Sequence, residues 1–254
     1  MSKIFDALKR AEREGRDERP EDMGHDLTAL EGSLEEEERP RAENGDVEPG
    51  LDLPNLLNTL ETRLKDRSDR VILFCSSLPG EGVTTVLTDF AHTVSRLREE
   101  RVLLVGADPN GADLSRAWRL PPSPGLSDAL LGRKGPEDCI RETDVHNVFV
   151  LPAGGDLEVQ GRALGSERMH RLIQLARRGF PYVLVDGGAV LTNAETPRLG
   201  RAADGAVLVI RTAETKREFV RRAIDELSRM EIPILGLILN RKKQFIPRIL
   251  LEHL

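Results

Sequence analysis

From Leu51 onward, short apolar runs alternate with amphipathic stretches of helical period, and this alternation narrows the possible folds more than any other feature. Strands buried on both faces read as near-continuous apolar runs, and strands that alternate with helices form parallel sheets. The strand candidates are Val71–Ser76, Val102–Gly106, Val148–Pro152, Tyr182–Asp186, Ala206–Ile210 and Ile234–Leu239. Helices are expected around Leu53–Lys65, Thr84–Glu99, Glu167–Arg178 and Thr215–Met230. The expected fold class is α/β: a doubly wound, mostly parallel sheet flanked by helices, occupying residues 51–254.

The first strand runs into Ser77-Leu-Pro-Gly-Glu-Gly-Val-Thr-Thr85 and then into a helix. Gly80 and Gly82 let the backbone turn its N–H groups toward a phosphate, and the helix that follows adds the positive end of its dipole. Ser77, Gly80, Glu81, Gly82, Val83, Thr84 and Thr85 are therefore candidate nucleotide-binding residues, with the Thr84 hydroxyl placed to coordinate Mg²⁺. Against the full pattern G-x-x-x-x-G-K-[ST], Ser77 replaces the first Gly and Val83 replaces the Lys. A glycine-rich strand-to-helix turn is also a common tight connection, so the loop alone does not decide between the two readings.

Two further segments weigh on that choice. Gly106-Ala-Asp108-Pro follows the second strand, and Asp186-Gly-Gly188 ends the fourth. Ligands in open parallel sheets bind at the carboxyl ends of strands. Asp108 and Asp186 are thus candidate catalytic and Mg²⁺-holding residues, together with Thr84. Asn240 and Arg211 end predicted strands on the same side, with Asn240 a candidate for the nucleotide base or a loop cap.

Composition excludes several other functions. The formal charge is −6 over 254 residues, but residues 16–50 alone carry thirteen Asp/Glu against four Arg. The remainder is near neutral and aromatic residues make up 4%, so neither a basic groove nor a base-stacking surface for nucleic acid is present. The two cysteines and the absence of a signal-like apolar run fit a reducing, cytoplasmic setting. His25, His92, His146 and His170 lack metal-ligand spacing, so no metal besides Mg²⁺ is expected.

Residues 1–15 place Ile4, Phe5, Leu8 and Ala11 at helical spacing and predict a short amphipathic helix. A helix of this length needs a surface to fold against, whether its own domain, a partner or a membrane. Residues 16–50, acidic and with Pro20, Pro40 and Pro49, predict a disordered linker. As a flexible coil it would span roughly 30 to 35 Å. Near the C-terminus, Phe245, Ile246, Ile249, Leu250 and Leu254 form an apolar stripe expected to pack in the core.

Taken in order, Ser76-Ser-Leu-Pro-Gly-Glu-Gly82 with Thr84-Thr85, Val102 to Asp108, Gly125-Leu-Ser-Asp128, Leu151-Pro-Ala-Gly154, Tyr182-Val-Leu-Val-Asp186 and Leu235 to Asn240 resemble the cytoplasmic domain of bacterial tyrosine kinases, within the ParA/MinD-like P-loop ATPases. The opening Met1 to Glu12 is similar to the start of stand-alone kinases of exopolysaccharide and exosortase-associated loci. The resemblance implies an ATP- and Mg²⁺-binding regulator of capsule or exopolysaccharide synthesis or export. It would work at the inner membrane through a chain-length-determinant (polysaccharide co-polymerase) protein. Gly80, Gly82, Thr84, Asp108 and Asp186 match the family pattern.

Val83 and Gly106 stand where the resemblance implies a phosphate-binding Lys and the first Asp of a metal-holding pair. An ammonium about 4 Å from a phosphate charge is worth on the order of 4 kcal/mol at an effective dielectric of ~20, or about a thousandfold in rate. The resemblance therefore implies a pseudokinase or a weak ATPase. An active kinase with a relocated Lys or Arg, and a positioning ATPase of the ParA/MinD kind, are the alternatives. The family's C-terminal tyrosine cluster is absent from a chain whose single tyrosine is Tyr182. The family's ring-forming Glu-x-x-Arg-x-x-Arg signature would fall on Glu61, Leu64 and Arg67, with Leu at the middle position, so homo-oligomerisation stays open.

Overall fold

The computed structural model describes residues 51–108, 114–157, 163–212 and 214–240. The chain divides into two units, Met1–Gly50 and Leu51–Leu254, and every described residue belongs to the second. The expected N-terminal helix, the acidic linker and the apolar stripe after Asn240 lie outside the described residues.

The first helix, α1 (Leu53–Arg63), starts where the Asp52 carboxylate accepts the Asn55 N–H at 3.2 Å and a proline occupies the first turn. Its Leu53, Leu57 and Leu60 share one buried face. Strand β1 (Arg70–Ser76) follows, then α2 (Val83–Arg98), which buries Val86, Leu87, Phe90 and Val94 at helical spacing. Next come β2 (Val102–Gly106) and three short helices, α3 (Leu114–Ala117), α4 (Leu126–Leu131) and α5 (Pro136–Cys139). After β3 (Arg141–Glu142) and β4 (Val148–Leu151), the order is α6 (Glu167–Gly179), β5 (Tyr182–Ala189), α7 (Glu195–Gly200), β6 (Gly205–Arg211), α8 (Arg217–Arg229) and β7 (Ile234–Asn240).

The seven strands form one sheet in the order β3-β4-β2-β5-β1-β6-β7. All neighbours are parallel except the β3–β4 pair. Alternation along each strand divides the core in two. Ile72, Phe74, Leu104, Leu184 and Val207 face the side covered by α1 and α2, whereas Leu73, Cys75, Leu103, Val183 and Leu208 face that of α6, α7 and α8. No helix among the described residues is long and apolar enough to cross a membrane.

The structure departs from the expected elements in a few places. Neither the two-residue β3, too short to show alternation, nor the short helices α3, α4 and α5 is among the expected elements. The fourth predicted strand, expected to end at Asp186, continues through Gly187 and Gly188 to Ala189. Ser76↔Ala189 pairing, after a register irregularity in β1, carries it there. The third predicted strand ends at Leu151, one residue before Pro152, which has no N–H for the ladder.

Candidate phosphate-binding site

The carboxyl ends of β1, β2, β5, β6 and β7 bring together residues as distant in sequence as Glu81 and Asn240, 159 positions apart. At the centre, β1 hands over to the loop 77–82, and α2 begins at Val83. Gly82 adopts φ +94° and caps α2 without a side-chain hydrogen bond. The first-turn N–H groups of α2 therefore have no side-chain acceptor at the cap, the arrangement that receives an anion at a helix N-terminus. A Cβ on Gly82 would lie 2.2 Å from the Asn240 amide nitrogen, and the left-handed φ itself favours glycine there.

Thr84 and Asp186 meet as expected: the Thr84 hydroxyl donates to Asp186 Oδ2 at 2.5 Å. Asp186 is 1% exposed, and its Oδ1 has no hydrogen-bond partner. Burial pushes its carboxyl up to about 7, with the nearby Asp108 adding to the rise and the Thr84 hydroxyl and Gly188 N–H opposing it. Asp108 completes the corner by packing on Gly188: a Cβ there, at φ +70°, would lie 2.3 Å from the Asp108 carboxyl carbon. Pairing of Gly106 with Asp186 in the ladder, and the Ala107 N–H donated to the Asp186 carbonyl at 2.9 Å, fix this approach.

Two carboxylates and a hydroxyl, all hard oxygen donors, fit Mg²⁺. The unpartnered buried Oδ1 of Asp186 is what a cation would satisfy. Among the described residues no group of three His, Cys, Asp or Glu forms a metal cage. Such an ion would complete its shell with nucleotide oxygens and water, the usual habit of Mg²⁺. The structure thus unites Thr84, Asp108 and Asp186 beside the loop.

The other sequence-selected residues take different places. Val83, 7% exposed, joins the apolar core on the α1 and α2 side. Thr85 is exposed and Ser77 fully buried. Asn240 Nδ2 donates to the Glu81 carbonyl at 2.8 Å, so the side chain braces the loop. Arg211 pairs with Glu214 at 2.8 Å. Gly106 is enclosed, because a Cβ on it would sit 3.1 Å from the Ala153 N at the exit of β4.

Glu61, Leu64 and Arg67 are all engaged within the chain. Glu61 holds Arg98 through two 2.8 Å bonds and accepts the Tyr182 hydroxyl at 2.6 Å. The Arg98 hydrogen bond keeps the Glu61 carboxyl below its ordinary range, while burial and the Glu61 carboxylate hold the Tyr182 phenol above its own. Leu64 is buried and Arg67 pairs with Asp204 at 3.1 Å. Sequence reading missed Gly188 as the bed of Asp108, the inward-turned Glu81 side chain and Thr215. The glycine pair after Asp186 was the one available signal among these.

Fold and site together define a P-loop protein of the ParA/MinD-like ATPase group. MinD of Pyrococcus horikoshii, complexed with Mg-ADP, superposes with a TM-score of 0.59 at 25% identity, covering 73% of this chain and 76% of that one. The kinase domain of Escherichia coli tyrosine kinase ETK superposes at 0.70 with 18% identity, over 84% of this chain and 89% of that domain. The tyrosine-protein kinase YwqD of Bacillus subtilis is 30% identical over 178 residues, 70% of this chain and 75% of that protein. The chain belongs to the bacterial tyrosine-protein kinase family. The succinoglycan biosynthesis transport protein ExoP of Rhizobium meliloti is 29% identical over 181 residues, which is 70% of this chain and 23% of ExoP. No protein-family model matches the chain.

Proposed function

We propose that this chain binds Mg·ATP or Mg·ADP at the 77–85 loop and acts as a nucleotide-dependent regulator of polysaccharide synthesis or export, with phosphoryl transfer strongly slowed. The observation that carries this reading is the Asp186 corner beside an apolar Val83. A buried carboxylate with a free oxygen is costly to keep unless a cation uses it. Bound Mg²⁺ would neutralise phosphate charge. Thr84, Asp108 and Asp186 would hold and orient it, while the loop N–H groups from Gly80 to Thr84 would bind the phosphates.

Slow transfer is supported by the absence of a cation at Val83 and of a carboxylate at Gly106. In place of a Lys the first position of α2 presents two methyl groups, which cannot follow charge onto the leaving oxygens. The one tyrosine, Tyr182, is 1% exposed and held by Glu61, so it is not offered as a phosphoryl acceptor. The polysaccharide role and a membrane chain-length-determinant partner are supported by the family resemblance and by the match to a succinoglycan biosynthesis transport protein.

Calorimetric titration of the full chain with Mg·ADP tests the reading, beside Asp186→Ala and Val83→Lys. Binding in the wild type, lost in Asp186→Ala, is expected. Tyrosine phosphorylation of a partner by the wild type as fast as by Val83→Lys would refute the slowed-transfer part. Absence of nucleotide binding in the wild type would refute the site itself.

A further inference from the structure

The Glu81 side chain turns back onto the loop and the end of β6 and is 2% exposed. Its Oε2 accepts the backbone N–H of Ser77 at 2.7 Å and of Leu78 at 2.9 Å. Its Oε1 accepts the Arg211 N–H at 3.4 Å and the Thr215 hydroxyl. One buried carboxylate thus ties the first two residues of the loop to the end of β6 and to the approach to α8. Asn240, at the end of β7, braces the same residue through its carbonyl.

Four donors from two distant segments satisfy this buried side chain. They also leave it nothing to give a ligand. The N–H groups of Ser77 and Leu78 precede those that would face a phosphate, so holding them sets the loop's course into Gly80 and Gly82. We propose that Glu81 is a positioning residue, which ties the phosphate loop to Arg211 and Thr215 so that the site and the approach to α8 are energetically coupled. This rests on the nucleotide-binding reading above. Coupling of this kind is reciprocal: loosening the Thr215 end must weaken nucleotide at the loop end.

The test uses the full chain and Mg·ADP. Thr215→Val removes one hydroxyl donor at a residue that is no part of the phosphate-facing backbone. Affinity should fall about tenfold, the weight of one hydrogen bond to a charged group. Thr215→Ser should restore it, and Glu81→Gln should weaken binding at least as much. Hydrogen exchange at the Ser77 and Leu78 amides should accelerate in both Thr215→Val and Glu81→Gln. Wild-type affinity in Thr215→Val, with or without a lower melting temperature, overturns the proposal, as does failure of Thr215→Ser to rescue. If the wild type itself binds no nucleotide, the reading of the site fails separately. The tie is then judged by exchange alone, and unchanged exchange at Ser77 and Leu78 overturns it.

Discussion

Asp186→Asn should stabilise this protein at neutral pH, and the gain should grow with pH. In the fold the Asp186 carboxyl sits at about 7 instead of the ordinary 3.8, chiefly because it is buried. Its proton is therefore held about a thousandfold more tightly than in the unfolded chain, equivalent to about 4 kcal/mol. Between pH 4 and 7 the unfolded state has lost this proton while the native state keeps it, so stability falls as pH rises through that window and levels off above it. Asparagine keeps an acceptor for the Thr84 hydroxyl and never ionises. Any fixed packing penalty of the variant is the same at every pH, and carboxylates remote from the site titrate alike in both proteins, whereas Asp108, whose charge adds to the rise, is secondary to burial. The difference in unfolding free energy between Asp186→Asn and wild type, from urea titrations without Mg²⁺, should rise by about 4 kcal/mol from pH 4 to 7.5. Addition of Mg·ADP should reverse the order by stabilising only the wild type. A difference that stays flat from pH 4 to 7.5 would refute the argument, because Asp186 would then ionise as freely as an exposed carboxylate.

Val83→Lys should tighten Mg·ATP binding in calorimetry by up to about a thousandfold if the ammonium reaches a phosphate, at a cost of about 1 kcal/mol of lost core burial. Gly106→Asp should lower stability by about 1 to 3 kcal/mol in denaturant titration, because its Cβ meets the Ala153 N at 3.1 Å. Asp204→Ala should cost about 2 to 3 kcal/mol, since it removes the 2.6 Å partner of the largely buried Arg177, leaving it Asp69 at 3.3 Å, and frees the Val71 N–H held at 2.7 Å. Arg67→Ala, which touches the same carboxylate from an exposed position, should change the same measurement by about 1 kcal/mol or less.

Much of the fold is written in local pattern. The strands through Ile72, Leu104, Leu184 and Val207 read directly, because a strand buried on both faces must be apolar at nearly every position. Thr84, Asp108 and Asp186 were legible for a related reason: in a parallel sheet the ends of neighbouring strands share one side, so strand-end residues can be assigned to it before any contact is known. The substitution of a cation by Val83 is likewise a fact of the sequence alone.

What the tertiary structure decided is how those ends meet. That the Glu81 carboxylate faces Arg211 and Thr215, and that Asn240 lies on Gly82, depends on the registers of β1 with β6 and of β6 with β7. The closure of Ala153 over Gly106 depends in the same way on β4 lying beside β2. No local propensity encodes such distances, because each is set by packing across 47 to more than 150 residues of chain. The sequence by itself determined which chemical groups this protein carries to one end of its sheet. Only the folded arrangement determined that Glu81 faces inward as a strut, and that Asp186 keeps one oxygen without a partner where a cation fits.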